Sequence, residues 1–214
     1  MKVIGIINQK GGVGKSMIAV NLAVAYAIAG KSVVIIDTDK QATSSLFRDI
    51  RHDREELPQF SAMKINAPTL HKDLKSIAAD IVIIDGAKEN TDLQRNSMRV
   101  SDLIVIPFQP SASDLWSTED TFKNTLELRQ FRPDAKVYAA LNLCSSGTKT
   151  MEEALSLQTD IARDYDIPFL KSILYRRESY KRAFGEARGI LESTDARAKT
   201  EFKAFFAEIQ KILK

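Results

Sequence analysis

VIGIINQKGGVGKSMIAVNLAVAYAIAG, residues 3–30, decides how the rest of the chain is read. VIGII (3–7) is a continuous β-branched run of the kind found in a buried strand, and SMIAVNLAVAYAIAG (16–30) is long and apolar enough for a helix. A glycine-rich turn joins them. A strand that enters such a turn and leaves as a helix is the setting of a phosphate-binding loop, whose pattern is Gly, four residues, then Gly-Lys-Ser/Thr. Gly14, Lys15 and Ser16 supply the end of that pattern, but its first glycine falls on Gln9, and Lys10 follows. Gly11, Gly12 and Gly14 allow the backbone to fold tightly and aim its N–H groups inward. Lys15 is then expected to reach the β- and γ-phosphates, and Ser16 to ligate Mg²⁺ at the helix N-terminus. A solvated lysine beside a turn is the plain reading of Lys10.

Working outward, SVVII (32–36), DIVII (80–84), DLIVI (102–106) and KVYAAL (136–141) read as further buried strands, with weaker ones at 59–65 and 169–174. Near-continuous apolar runs suit parallel strands covered on both faces. Helices are predicted at about 16–29, 41–56, 69–78, 91–100, 113–131, 149–164 and 196–213. Gly30 is suited to ending the first of these. The alternation, with no internal repeat or linker, predicts one domain over 1–214. Its fold class is α/β, a doubly wound and mostly parallel sheet flanked by helices.

Composition narrows the function classes. Hydrophobic residues are 44% and charged residues 28%, ordinary for a globular chain. One cysteine, Cys144, rules out a disulfide framework or a cysteine-held cluster. His52 and His71 lack metal-ligand spacing. No apolar run approaches the roughly 20 residues of a membrane span. With no leader pattern at the N-terminus, a cytoplasmic location is expected. The net charge is +3 but uneven: residues 171–214 hold eleven Lys/Arg against six Asp/Glu, so the first 170 residues sum to −2.

KGGVGKS (10–16) resembles the deviant Walker A motif, KGGxGK[S/T], of the ParA/MinD superfamily. DTDKQ (37–41) resembles its Asp-x-Asp-Pro-Gln motif, IVIIDGA (81–87) its Walker B strand, and VSDLIVIPFQPSASD (100–114) its next strand and interface loop. The similarity covers most of the chain in order and spacing. It is nearest to the small ParF-like plasmid-partition ParA proteins. The resemblance implies a P-loop ATPase that binds ATP and Mg²⁺ through Lys10, Gly11, Gly12, Val13, Gly14, Lys15, Ser16 and Met17. It implies that Lys10 crosses a homodimer interface to phosphates on the other subunit, a cation supplied in trans where phosphate charge is concentrated. It further implies that Asp39 orients the attacking water, that Ser16 binds the metal directly, and that Asp37 and Asp85 support it through water.

Several positions depart from the family pattern. Lys40 stands where proline is usual, removing a backbone restraint beside Asp39. Gly86-Ala87 replaces Thr-Pro, and Gly86 reads either as a switch hinge or as a strand-ending turn. Pro107 and Pro110 suggest an interface loop, with Ala112 where another proline can occur. Trp116 is expected to pack rather than face solvent. Asn142 is a candidate adenine contact by resemblance to some relatives.

KSILYRRESYKRAFGEAR (171–188) carries six basic and two acidic residues. Arg176, Arg177, Lys181 and Arg182 recur at helical spacing, and a basic ridge there would suit DNA phosphates. Solvated helix faces explain the same charges. The family reading implies an ATP-bound homodimer on non-specific double-stranded DNA, cytoplasmic and nucleoid-associated. A ParB-like or ParG-like centromere-binding protein would stimulate slow hydrolysis, driving segregation or positioning of plasmid or chromosomal DNA. A MinD-like membrane-cycling ATPase is the main alternative, through the amphipathic EFKAFFAEIQKILK (201–214). That stripe also suits packing against the sheet, which is the preferred reading, and no stable membrane association is expected. Iron-protein reductases need several cluster cysteines, which Cys144 alone cannot supply, and the related tyrosine kinases carry a terminal tyrosine cluster that is absent. A metabolic ligase remains a further reading.

Overall fold

The computed structural model describes residues 1–65, 70–88, 91–145 and 148–214, without the side chains of 91, 112–115 and 148–155. Six strands form one parallel sheet in the order β3-β2-β4-β1-β5-β6. They are β1 (Lys2–Ile6), β2 (Val33–Asp37), β3 (Ser61–Lys64), β4 (Ile81–Asp85), β5 (Leu103–Phe108) and β6 (Lys136–Leu141). The helices are α1 (Lys15–Ile28), α2 (Thr43–His52), α3 (Leu70–Leu74), α4 (Thr91–Val100), α5 (Ala112–Phe131), α6 (Thr148–Tyr165), α7 (Glu178–Gly185) and α8 (Ala196–Leu213), with a 3₁₀ turn at Ile190–Glu192. This is the doubly wound architecture expected from the pattern of strands and helices.

Strands β2, β4 and β5 are buried at every position because helices cover both faces. Ile4, Ile6, Ile35, Ile83 and Val105 point toward α1 and α8. Ile104 and Ile106 share the opposite face with Phe122 and Leu128 of α5. Helix α1 is almost wholly buried, and its alanines let the sheet and α8 approach it closely. The apolar stripe of α8 is part of this core: Phe202, Phe205, Ile209 and Leu213 are buried, and Phe206 meets Tyr26 edge-on at 4.8 Å. Pro107 is tolerated within β5 because pairing with β1 ends at Val105, so its missing N–H breaks no bond on that side.

Three expectations are corrected. Residues 169–174 do not form a regular strand. Leu170 and Leu174 bond to β6 through Ala139 and Leu141, but the N–H groups of Lys171 and Ser172 go to the Glu208 carboxylate at 2.8 and 3.0 Å. Helix α2 ends at His52 rather than 56, and the Gln59 amide takes up the carbonyls of Arg51, Arg54 and Leu57 beyond it. Helix α3 ends at Leu74, where the Ser76 hydroxyl captures the Asp73 carbonyl. The other five predicted helices agree with their ranges within one residue, whereas α7 and the 3₁₀ turn fall where no helix range was predicted.

Candidate nucleotide site

The loop between β1 and α1 is held from three sides. Asn8, fully buried, accepts from the Lys10 N–H at 2.9 Å and donates to the Pro107 carbonyl at 2.8 Å and to Thr118 at 3.1 Å. The Gln9 N–H donates to Thr121 at 3.1 Å. On the far side Asn142 donates its amide to the Val13 carbonyl at 2.7 Å. Gly14 has φ of 89°, and a Cβ there would lie 2.2 Å from the Asn142 amide nitrogen, so only glycine satisfies both the turn and the contact. No side chain caps α1 at Gly14, which leaves its first-turn N–H groups directed at the loop.

Lys15 is buried and donates to the Lys10 carbonyl at 2.8 Å, arching over the turn. Burial lowers its pKa, while Asp85 and Asp39 act to raise it. The carboxylates come from neighbouring strands. Asp37 and Asp85 are register partners at the ends of β2 and β4, both fully buried, and Ile6 of β1 stands in register with Asp85. Asp37 accepts from the Ser45 N–H at 2.9 Å and the Asp39 N–H at 3.2 Å. Asp85 accepts from the Ser44 hydroxyl at 2.6 Å, and its Oδ1 has no hydrogen-bond partner among the described residues. Burial pushes its pKa up to about 7, with the Ser44 and Ser16 hydroxyls opposing and Asp37 adding to the rise. A buried carboxylate with an orphaned oxygen, beside a second one and a hydroxyl on α1, is a donor set that fits a hydrated divalent cation.

The Asp39 loop lacks its proline but has an alternative restraint. Asp39 Oδ1 accepts from the Gln41 N–H at 2.9 Å, the Asp39 carbonyl accepts from Ala42, and Ala42 has φ of 51°. Lys40 is exposed at the tip. Gly86 serves close approach: a Cβ there would meet the Ile6 carbonyl at 2.8 Å. Beside the loop, Met17, Leu143, Leu174, Tyr175, Tyr180 and Phe202 line an apolar pocket of about 230 Å³.

The fold thus gathers Lys10 to Met17, Asp37, Asp39 and Asp85 at one end of the sheet. Asn8, Thr38, Ser44, Ser45, Thr118 and Thr121 were not anticipated. The run TSS (43–45), directly after the acidic loop, was the one sequence signal for the serines. Thr38 bonds both the Asp85 carbonyl and the Ala87 N–H, tying the two acidic strands together. The helical ridge is corrected in part, because Arg176 and Arg177 precede α7 and only Lys181 and Arg182 lie on it. Arg177 is paired with Glu201, its Nε at 3.0 Å, and Lys181 with Glu178 at 3.0 Å. Arg176 reaches Gln109 at 3.1 Å. Trp116 is 74% exposed, contrary to the packing expected of it. The side chain of Ala112 lies outside the described residues.

A parallel sheet bearing this loop, with a lysine on either side of its glycines and paired aspartates facing it, defines a P-loop nucleotide-binding protein. Residues 4–190 match the CobQ/CobB/MinD/ParA nucleotide binding domain, and the chain belongs to that family. It is 29% identical over 111 residues to the chromosome partitioning protein ParA of Caulobacter vibrioides, an alignment spanning 49% of this chain and 42% of that protein. It is 27% identical over 194 residues to the maintenance of carboxysome distribution protein A of Gloeobacter kilaueensis, covering 89% and 84%. Its fold matches that of the septum site-determining protein MinD of Pyrococcus horikoshii, solved with Mg-ADP. The TM-score is 0.70 at 17% identity, over 99% of this chain and 96% of that one.

Proposed function

We propose that this chain is a ParA-type partition ATPase, converting ATP and water to ADP and phosphate and coupling nucleotide state to dimerisation and non-specific DNA binding. The observation that carries the reading is the meeting of Lys10 and Lys15 on one loop with Asp37, Asp39 and Asp85. The N–H groups from Gly11 to Met17 hold the phosphates, and Lys15 exchanges the Lys10 carbonyl for β- and γ-oxygens. The apolar pocket beside Met17 takes the base. Ser16 would hold Mg²⁺ directly, with Asp37 and Asp85 holding its waters. Held by these residues, Mg²⁺ would supply positive charge against that developing on the transferred phosphoryl group. Asp39, anchored by its own turn, orients the attacking water. Lys10 reaches the phosphates of a second copy of the chain, so a stable dimer forms only with ATP.

The resulting dimer is cytoplasmic and nucleoid-associated, and a ParB-like or ParG-like centromere-binding protein stimulates its slow hydrolysis. Arg176, Lys181 and Arg182 contribute phosphate contacts, whereas Arg177 is largely committed to Glu201. Kinship with a chromosome partitioning protein and a carboxysome distribution protein supports a positioning role. A MinD-like membrane cycle needs a free apolar helix face. Phe202, Phe205, Ile209 and Leu213 are buried in the core, which favours DNA over lipid. Among the described residues, no helix is long and apolar enough to cross a membrane. Binding to random duplex DNA and to anionic liposomes, each with ATP, ADP or no nucleotide, tests the proposal. ATP-dependent DNA binding is expected, and ATP-dependent sedimentation with liposomes alone would favour the membrane cycle.

A further inference from the structure

Lys88 is a third lysine at the phosphate loop. It follows Asp85, Gly86 and Ala87 at the end of β4, and the backbone before it is clamped from three sides. The Gly86 N–H donates to the Ile6 carbonyl at 3.0 Å and the Ala87 N–H to the Thr38 hydroxyl at 2.8 Å. The Ala87 carbonyl accepts from the Gln94 amide at 3.1 Å. Lys88 therefore departs from a fixed point. Its side chain lies along the glycine turn: a Cβ on Gly11 would stand 3.7 Å from the Lys88 Cδ, an ordinary contact distance, and the ammonium is two bonds further on. Among the described residues, no carboxylate lies within ion-pair distance of Lys88.

The charges around this lysine call for an anion. Burial is the main reason the Lys15 pKa is lowered; Asp85 and Asp39 oppose that shift and Lys88 adds to it, so all four groups act on one small volume. Like charges brought to one loop repel, and each ammonium is disfavoured by the other until an anion lies between them. An exposed lysine can swing into water, where such repulsion is screened, yet the stem of exposed Lys88 runs along Gly11. A phosphate in the turn would give both ammonium groups oxygen partners. The direction of approach selects which phosphate. Lys88 comes from β4, on the side of Asp85 and Asp39, where the metal and the attacking water belong. The phosphate nearest that water is the terminal one, which ADP lacks.

We infer that Lys88 contacts the terminal phosphate of ATP bound to its own chain, and that this contact makes the site prefer ATP to ADP. The inference rests on the ATPase reading above and adds to it a residue that senses the γ-phosphate. The contact joins that phosphate to the segment leading into α4, whose Gln94 already holds Ala87.

The test is calorimetric titration of the full chain, with Mg²⁺, by ADP and by the β,γ-imido analogue of ATP. The variants are K88Q, K88R and a surface control of equal charge change, K72Q. K88Q is expected to lose at least about tenfold in affinity for the analogue, the scale of a lost hydrogen bond between charged groups, and less than about twofold for ADP. K88R should stay near wild type because it keeps the charge, and K72Q should match wild type with both ligands. Each is repeated in the K10A background, where no dimer is expected, so that the contact is read within one chain. Unchanged analogue affinity in K88Q, or an equal loss for analogue and ADP, overturns the assignment while leaving the ATPase reading intact. A loss that disappears in the K10A background places the contact across the dimer and overturns the assignment to the same chain. A wild type that binds neither nucleotide removes the ATPase reading itself.

Discussion

Asn142 and Val13 are 129 positions apart, yet the Asn142 amide donates to the Val13 carbonyl at 2.7 Å and closes the phosphate loop from outside. The bond spans from the end of β6 to the middle of the glycine turn, and its closeness explains why Gly14 carries no side chain. Asn142→Ala removes one buried hydrogen bond, a loss of about 1 kcal/mol. If that loss is felt in the nucleotide-bound loop, ATP and ADP affinity should fall roughly fivefold. Isothermal titration measures it. Unchanged affinity for both nucleotides would show that the loop keeps its shape without the bond.

Lys10 and Lys15 should separate by phenotype. Lys15→Ala should impair nucleotide binding itself, since Lys15 lies buried within its own loop. Lys10→Ala should retain binding but lose ATP-dependent dimerisation and most hydrolysis. Sedimentation of both variants beside wild type, with ATP and with ADP, distinguishes them. A Lys10 variant that dimerises and hydrolyses normally would end the cross-interface assignment.

Asp39→Ala should retain ATP and lower turnover by at least about a hundredfold, as removal of a group that positions the nucleophile does. The variant should accumulate as the ATP-bound dimer. Because Asp39 also builds the turn to Gln41, Asp39→Asn is the sharper comparison. It keeps an oxygen to accept the Gln41 N–H but removes the charge. Steady-state turnover and equilibrium binding, measured together, check both variants.

Arg51 is fully buried and donates to both oxygens of Glu192, to the Ala187 carbonyl and to the Pro58 carbonyl. It ties α2, which carries Ser44 and Ser45 to the acidic pair, to the turn before α8. Arg51→Met should destabilise the chain by about 3–5 kcal/mol because Glu192 is left without its partner. Adding Glu192→Gln should recover part of that loss. Denaturant titration of the single and double variants gives the coupling.

Cys144 is buried, and burial pushes its thiol from 9.0 up to about 11. The raised pKa leaves about a hundredfold less thiolate at pH 8 than an unperturbed thiol has. Alkylation by iodoacetamide at that pH should therefore be at least about a hundredfold slower in the native protein than after unfolding. Labelling followed by mass spectrometry reads both rates. Equal rates would place the thiol within reach of solvent.

Local pattern carried the parts of this protein that depend on neighbours in sequence. VIGII followed by KGGVGKS determined a strand, a phosphate loop and a helix because each rests on adjacent residues and backbone freedom. The ends of VVIID and IVIID marked Asp37 and Asp85, and the spacing of Phe202, Phe205 and Ile209 marked α8 as a core helix. What the sequence could not disclose depends on distant partners. Asn142 locks Val13 only once β6 lies beside β5. Residues 169–174 read as a strand, but Glu208 of α8, 37 positions from Lys171, takes the N–H groups a ladder would need. Arg176, Arg177, Lys181 and Arg182 have helical spacing, yet Arg177 lies before the helix and turns to Glu201. The physical reason is common to these cases. Periodicity and propensity fix which face of an element is apolar, whereas a charge or amide is satisfied by whichever group the completed packing brings within hydrogen-bond reach.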